Sequence, residues 1–129
     1  DISGTEVASI TASGSAQFTD VTATQGAFDK LIIAGSEATT SASLLEGVVV
    51  ETNATAGSAT LPAGTAEITI KSPFVTDSTL VYVTPTSSTQ NHVLYVKSKQ
   101  AGEFTVGFDN PVAVEVKFNW WVIELKNDL

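Results

Sequence analysis

His92 is the sole histidine in the 129 residues, so any Ser-His-Asp arrangement would have to use it. No Gly-x-Ser-x-Gly turn is present to present a serine nucleophile. His92 follows Gln90-Asn91 at the start of a predicted strand, a position that suits a surface histidine. Glu51, Glu67, Glu103, Asp109 and Glu115 are the acidic residues that a paired-carboxylate glycoside hydrolysis would draw on. Most alternate with apolar residues, which places them on the wet face of strands. The chain contains no cysteine, which excludes thiol nucleophiles, disulfides and zinc–thiolate sites. Asp109-Asn110 and Asp77-Ser78 are short Asx turns rather than the oxygen-ligand series that calcium requires. No phosphate-cradling glycine loop occurs. Lys71 or Lys117 with Asn119 and a glutamate contains the groups of an isopeptide bond, without a spacing that demands one. The residue inventory therefore leads to a non-enzymatic protein with no catalytic residue, metal or cofactor.

Three features carry other possibilities. Asn53-Ala54-Thr55 is an N-glycosylation sequon in a predicted turn, making Asn53 a candidate modification site. Phe118, Trp120 and Trp121 are candidate core or interface aromatics. Neighbouring strand residues point to opposite faces, so at most one tryptophan should lie deep in a core. The other should meet a second layer, either the N-terminal segment or a neighbouring subunit; the alternative is that the pair stacks on sugar rings.

The composition constrains the elements that hold these residues. Threonine, valine and isoleucine total 40 residues, a β-branched content that favours strands. All six basic residues are lysine, against 14 acidic ones, for a net charge of −8. A nucleic-acid binder needs a basic stripe, and this sequence has none. An anionic membrane surface is disfavoured for the same reason, and no apolar run approaches the roughly 20 residues of a transmembrane helix. The chain opens on Asp1, as expected of a processed mature protein or a fragment.

Residues 1–45 are rich in alanine, serine, threonine and glycine, with scattered large apolar residues. Ile10-Thr11-Ala12-Ser13-Gly14, Val21-Thr22-Ala23-Thr24-Gln25-Gly26 and Ile32-Ile33-Ala34-Gly35 suggest a weak repeat of short strands broken by glycine turns. Residues 36–45 read as a loop with at most one helical turn, Ser36 being a possible N-cap. Residues 46–129 alternate clearly. Gly47–Thr52, Ser58–Leu61, Thr65–Lys71, Thr79–Thr84, His92–Lys97, Glu103–Phe108 and Val112–Leu125 are seven predicted strands punctuated by proline, glycine and Asx turns. Such a series implies an all-β chain, an antiparallel β-sandwich of about seven strands with an N-terminal extended β segment. In the last strand, Trp121, Ile123 and Leu125 make the second face apolar too, which predicts either a bulge near Asn119–Trp121 or burial on both faces.

Leu61-Pro62-Ala63-Gly64, Val75-Thr76-Asp77-Ser78, Val83-Thr84-Pro85, Val93-Leu94-Tyr95-Val96, Gly102-Glu103-Phe104-Thr105-Val106 and Phe118-Asn119-Trp120-Trp121-Val122 together resemble a small C-terminal β module of repeat-rich bacterial surface and tail-fibre-like proteins. The resemblance covers roughly residues 57–124 and implies an extracellular fibre, knob or adhesin at the cell surface. It carries no catalytic residues. The N-terminal repeat section is short by comparison with those proteins.

A strand-forming segment without partners is an exposed edge, and proteins avoid leaving one. The expectation is a structural subunit of an extracellular fibre or filament, a homo-oligomer built through its N-terminal segment by strand exchange or as a trimeric stalk. Ile10, Phe18, Val21, Phe28, Leu31 and Ile33 are the expected assembly contacts. The alternative is a carbohydrate- or receptor-binding module at a fibre tip, with its site around residues 85–92 and 109–111.

Overall fold

The structure is a computed structural model that describes residues 14, 16, 18–33, 39–43 and 47–126. Ile10 lies outside the described residues. The chain divides into two units between Leu31 and Ile32.

The second unit is a β-sandwich. Its eight strands are β1 (Thr39–Ser43), β2 (Gly47–Glu51), β3 (Ala56–Leu61), β4 (Glu67–Lys71), β5 (Thr79–Pro85), β6 (Tyr95–Gln100), β7 (Glu103–Gly107) and β8 (Val116–Glu124). The seven strands expected from alternation are β2–β8, arranged as four against three: β2-β4-β7-β6 faces β3-β8-β5. β1 adds to the larger sheet beside β2. All pairings are antiparallel except β2 with β4, which run parallel because β3 crosses to the other sheet between them.

Alternation puts the core where the pattern predicts. Ile68 and Ile70 of β4, Phe104 and Val106 of β7, and Val116, Phe118 and Trp120 of β8 are buried between the sheets, with Leu61, Val75, Phe108 and Val112 closing the ends. Each such side chain contributes about 1.5–3 kcal/mol on burial. Phe104 meets Trp120 edge-on, ring centroids 5.6 Å apart, an arrangement favoured by the ring quadrupoles.

Several expectations need correction. Residues 39–43, read as loop or helix, form strand β1. Their hydroxyl-rich sequence has no apolar alternation, and it is the hydrogen-bonding edge of β2 that makes them a strand. The strand expected from His92 begins at Tyr95. Gln90 and Asn91 take left-handed backbone conformations (φ 52° and 65°), and the His92 amide donates to Thr89 O at 3.0 Å, so the turn extends past the histidine. The last strand begins at Val116 rather than Val112. It has neither a bulge near Trp121 nor burial on both faces. Its register with β3 and β5 is unbroken, and Trp121, Ile123 and Leu125 remain substantially exposed. The bulge lies instead in β6, between Val96 and Ser98.

The described part of residues 14–33 contains bends at Thr19, Thr24 and Asp29 but no strand. Among the described residues the short strands expected there are absent. An extended segment gains its hydrogen bonds only from a neighbouring strand, and none of the described residues pairs with this one.

Candidate assembly site

Residues 18–33 present their large side chains to solvent. Phe18, Val21 and Leu31 are each more than half exposed, and Phe28 and Ile32 reach 77 % and 78 %. Ile33 is partly exposed and lines a shallow pocket with Ala56, Gly57, Asn119 and Trp121. Isolated apolar residues on a surface are ordinary; this many large ones in sixteen residues without a strand are not. The expected contacts Phe18, Val21, Phe28, Leu31 and Ile33 are thus accessible.

The sandwich has four strand edges, and they differ in protection. β6 is blunted by its bulge and by Lys97 and Lys99. Lys97 forms an ion pair with Glu67 at 3.0 Å and donates to Phe108 O. That charge-assisted bond to Glu67 raises the lysine pKa above its usual value. Lys99 Nζ donates to the carbonyls of Asp77 and Thr79, tying β6 to the neighbouring β5. The free side of β5 also carries Pro85, which has no N–H to offer. On this side Thr79 and Pro85 are accounted for, while Val81 and Val83 keep N–H and C=O groups directed outward, as the bonds Thr86 N to Lys117 O and Leu125 N to Ser78 O set the phase of the ladder to β8.

The opposite side is open. Sheet β1-β2-β4-β7-β6 has two more strands than β3-β8-β5, so β1 and β2 extend past the edge of β3. Between them lies a cleft of about 400 Å³, lined by Thr40 and Val50 on one wall and Ser58, Ala59 and Thr60 on the other, with Phe118 behind. The backbone phase of β3 follows from one bond, Val122 N to Thr55 O at 2.9 Å. Antiparallel pairs alternate, so Gly57, Ala59 and Leu61 complete the ladder to β8. Ala56, Ser58 and Thr60 then direct their N–H and C=O groups to the free edge. Among the described residues no partner meets those groups. β3 contains neither proline nor charge.

The outer face of the smaller sheet carries a second feature. Trp121 and Tyr82 are direct cross-strand neighbours, each a little over 40 % exposed, with ring centroids 5.4 Å apart and planes tilted by 35°. Leu80 and Ile123 extend the apolar area, and the next row is polar: Ser58 Oγ donates to Asn119 Oδ1 at 2.8 Å, beside Thr84. Trp120, one residue away, is only 3 % exposed, so the two tryptophans divide between core and surface as alternation requires. Phe118 is fully buried.

The residues weighed for chemistry are dispersed. His92 is exposed, its ring edge-on to Phe108. Glu67 pairs with Lys97, and Glu103 accepts from Gln100. Asp109 accepts from the Tyr95 hydroxyl at 2.6 Å, a bond that raises the tyrosine pKa because ionisation would break it beside a carboxylate. Glu115 lies 4.0 Å from Lys117, and Glu51 is exposed. Among the described residues no three acidic or histidine side chains gather as metal ligands. Asn53 is exposed in a bend between β2 and β3, beside the Thr52–Ala54 turn. Near residues 85–92 and 109–111 the structure places the Tyr95–Asp109 bond and His92; the exposed aromatic pair is Tyr82–Trp121 instead. Sequence reasoning missed Tyr82, whose alternation with Val81 and Val83 on β5 is a signal for its outward position.

No protein-family model, curated protein or solved structure matches this chain.

Proposed function

We propose that this protein is a non-enzymatic structural subunit of an extracellular fibre or filament, which assembles with copies of itself through its N-terminal segment. The observation that carries the reading is residues 18–33, with Phe18, Val21, Phe28, Leu31 and Ile32 in solvent and no strand of their own. Covering one such side chain is worth on the order of 2 kcal/mol, and a copy of the chain offers open strand edges to cover them. The acidic, arginine-free, hydroxyl-rich composition and the resemblance to surface and tail-fibre modules support an extracellular setting. The test is sedimentation velocity of the intact chain beside Phe18→Ser/Phe28→Ser. The intact chain is expected to sediment as assemblies that grow with concentration. The double variant is expected to sediment as a folded monomer, and unchanged assembly would refute the reading.

The Tyr82–Trp121 pair favours a second reading, a carbohydrate-binding module at a fibre tip. Aromatic faces pack on the apolar face of a pyranose while neighbouring hydroxyl and amide groups bind its edges, and Ser58, Asn119 and Thr84 lie in the adjacent row. A glycan array decides it: binding that Trp121→Ala removes supports this reading, and no binding by the intact chain rejects it.

A further inference from the structure

We propose that the pocket beside Trp121 holds the acetamido group of a 2-acetamido-2-deoxypyranose whose ring packs on the exposed indole. The inference rests on the carbohydrate-binding reading and names the class of sugar. Register orders the outer face of the smaller sheet in rows. Leu80 and Ile123 form one, Tyr82, Trp121 and Ala56 the next, and Thr84, Asn119 and Ser58 a polar third. The pocket, of about 510 Å³, spans the second and third rows on the β3 side. Gly57 and Trp120 lie between these rows. Gly57 has no side chain and Trp120 turns its own into the core, so the floor is backbone. Ile33 adds an aliphatic wall, and it belongs to the same unit as the sheet.

Three properties of the pocket select this group. First, no charged side chain is among the described residues that line it. Lys117, one row further along β8, is 4.0 Å from Glu115. A carboxylate or sulfate would therefore lose water without meeting a cation in the pocket. Second, Ser58 Oγ donates to Asn119 Oδ1, which leaves the lone pairs of the hydroxyl to accept, and Asn119 Nδ2 has no acceptor among the described residues. The group that fits carries one N–H and one C=O, as an amide does. Third, Ile33 and Ala56 are aliphatic, so a methyl covers what a hydroxyl would leave wet. An acetamide joins a methyl to an N–H and a C=O without charge. At C2 of a pyranose it stands next to the ring that packs on Trp121.

Oligosaccharides matched except at C2 test this on the intact chain. The pairs are β-linked tetramers of glucose and of N-acetylglucosamine, and glycans ending in galactose and in N-acetylgalactosamine, each titrated by calorimetry. In at least one pair the acetamido member is expected to bind roughly tenfold or more tightly than its hydroxyl counterpart. Ile33→Ser and Asn119→Ala each remove one side of the pocket. Both are expected to reduce that preference to about threefold or less, in proteins that keep the near-ultraviolet signature of buried Trp120. Equal binding within both pairs would overturn the acetamido assignment and leave the carbohydrate reading standing. A preference unchanged in both variants would overturn it too, since the group would then sit elsewhere. Binding to none of these glycans would also overturn the assignment, and the wider glycan array then decides whether the carbohydrate reading survives.

Discussion

Gly107→Ala is expected to destabilise the sandwich by about 3 kcal/mol or more, at the upper end of the overpacking range. Gly107 is buried in β7 opposite Glu67 of β4. A Cβ at this position would lie 2.1 Å from Ala66 O and 2.8 Å from the Glu67 Cα. These are backbone atoms, so no rotamer change relieves the clash; the β4–β7 pairing has to separate. The bond from Phe108 N to Ala66 O, 2.8 Å, sits at the same point and would be strained with it. A loss of that size is a large fraction of the roughly 5–15 kcal/mol that holds a domain together. Thermal melting followed by circular dichroism should show a midpoint lowered by about 10 °C or more. A variant melting within a degree or two of the parent would mean that β4 and β7 do not approach as described.

Phe118→Ala is expected to cost about 3–5 kcal/mol, the range for deleting a large aromatic side chain from a packed core. Phe118 has no exposed surface and is the third of the nine residues of β8, in register with Ala59 on one side and Pro85 on the other. Small side chains on β3 face the large ones of β8: Ala59 stands opposite Phe118, and Gly57 opposite Trp120, where a Cβ would come within 3.1 Å of the indole. Removing the phenyl ring therefore opens a cavity against neighbours that cannot collapse into it without moving a strand. Urea denaturation with tryptophan fluorescence measures the loss. A cost below about 1 kcal/mol is the range of surface positions and would contradict the packing described.

The strands that could be read from sequence are those whose inner face repeats every second residue. Ile68/Ile70, Phe104/Val106 and Val116/Phe118/Trp120/Val122 mark β4, β7 and β8 because one face is core and the other is wet. β1 was not legible for the converse reason. Thr39–Ser43 has no apolar period, and its strand conformation depends on β2. The parallel β2–β4 pair was equally hidden, since periodicity identifies strands without saying which ones pair. The outward Trp121 followed from the buried Trp120 by alternation, although the apolar outer face was misread as a bulge or a second core. In the N-terminal segment, sequence revealed the apolar residues but not that residues 18–33 form no strand among the described residues. The β3 edge is a property of topology. What sequence does contain is the contrast between strands: lysines in β6, proline in β5, and neither in Ala56–Leu61.

Self-association through the N-terminal segment is the centre of this account, and light scattering of the intact chain over a range of concentrations, with negative-stain microscopy of the same samples, tests it most directly. The mass is expected to rise with concentration, with filaments in the micrographs. A single monomer mass at every concentration, with no filaments, would contradict it.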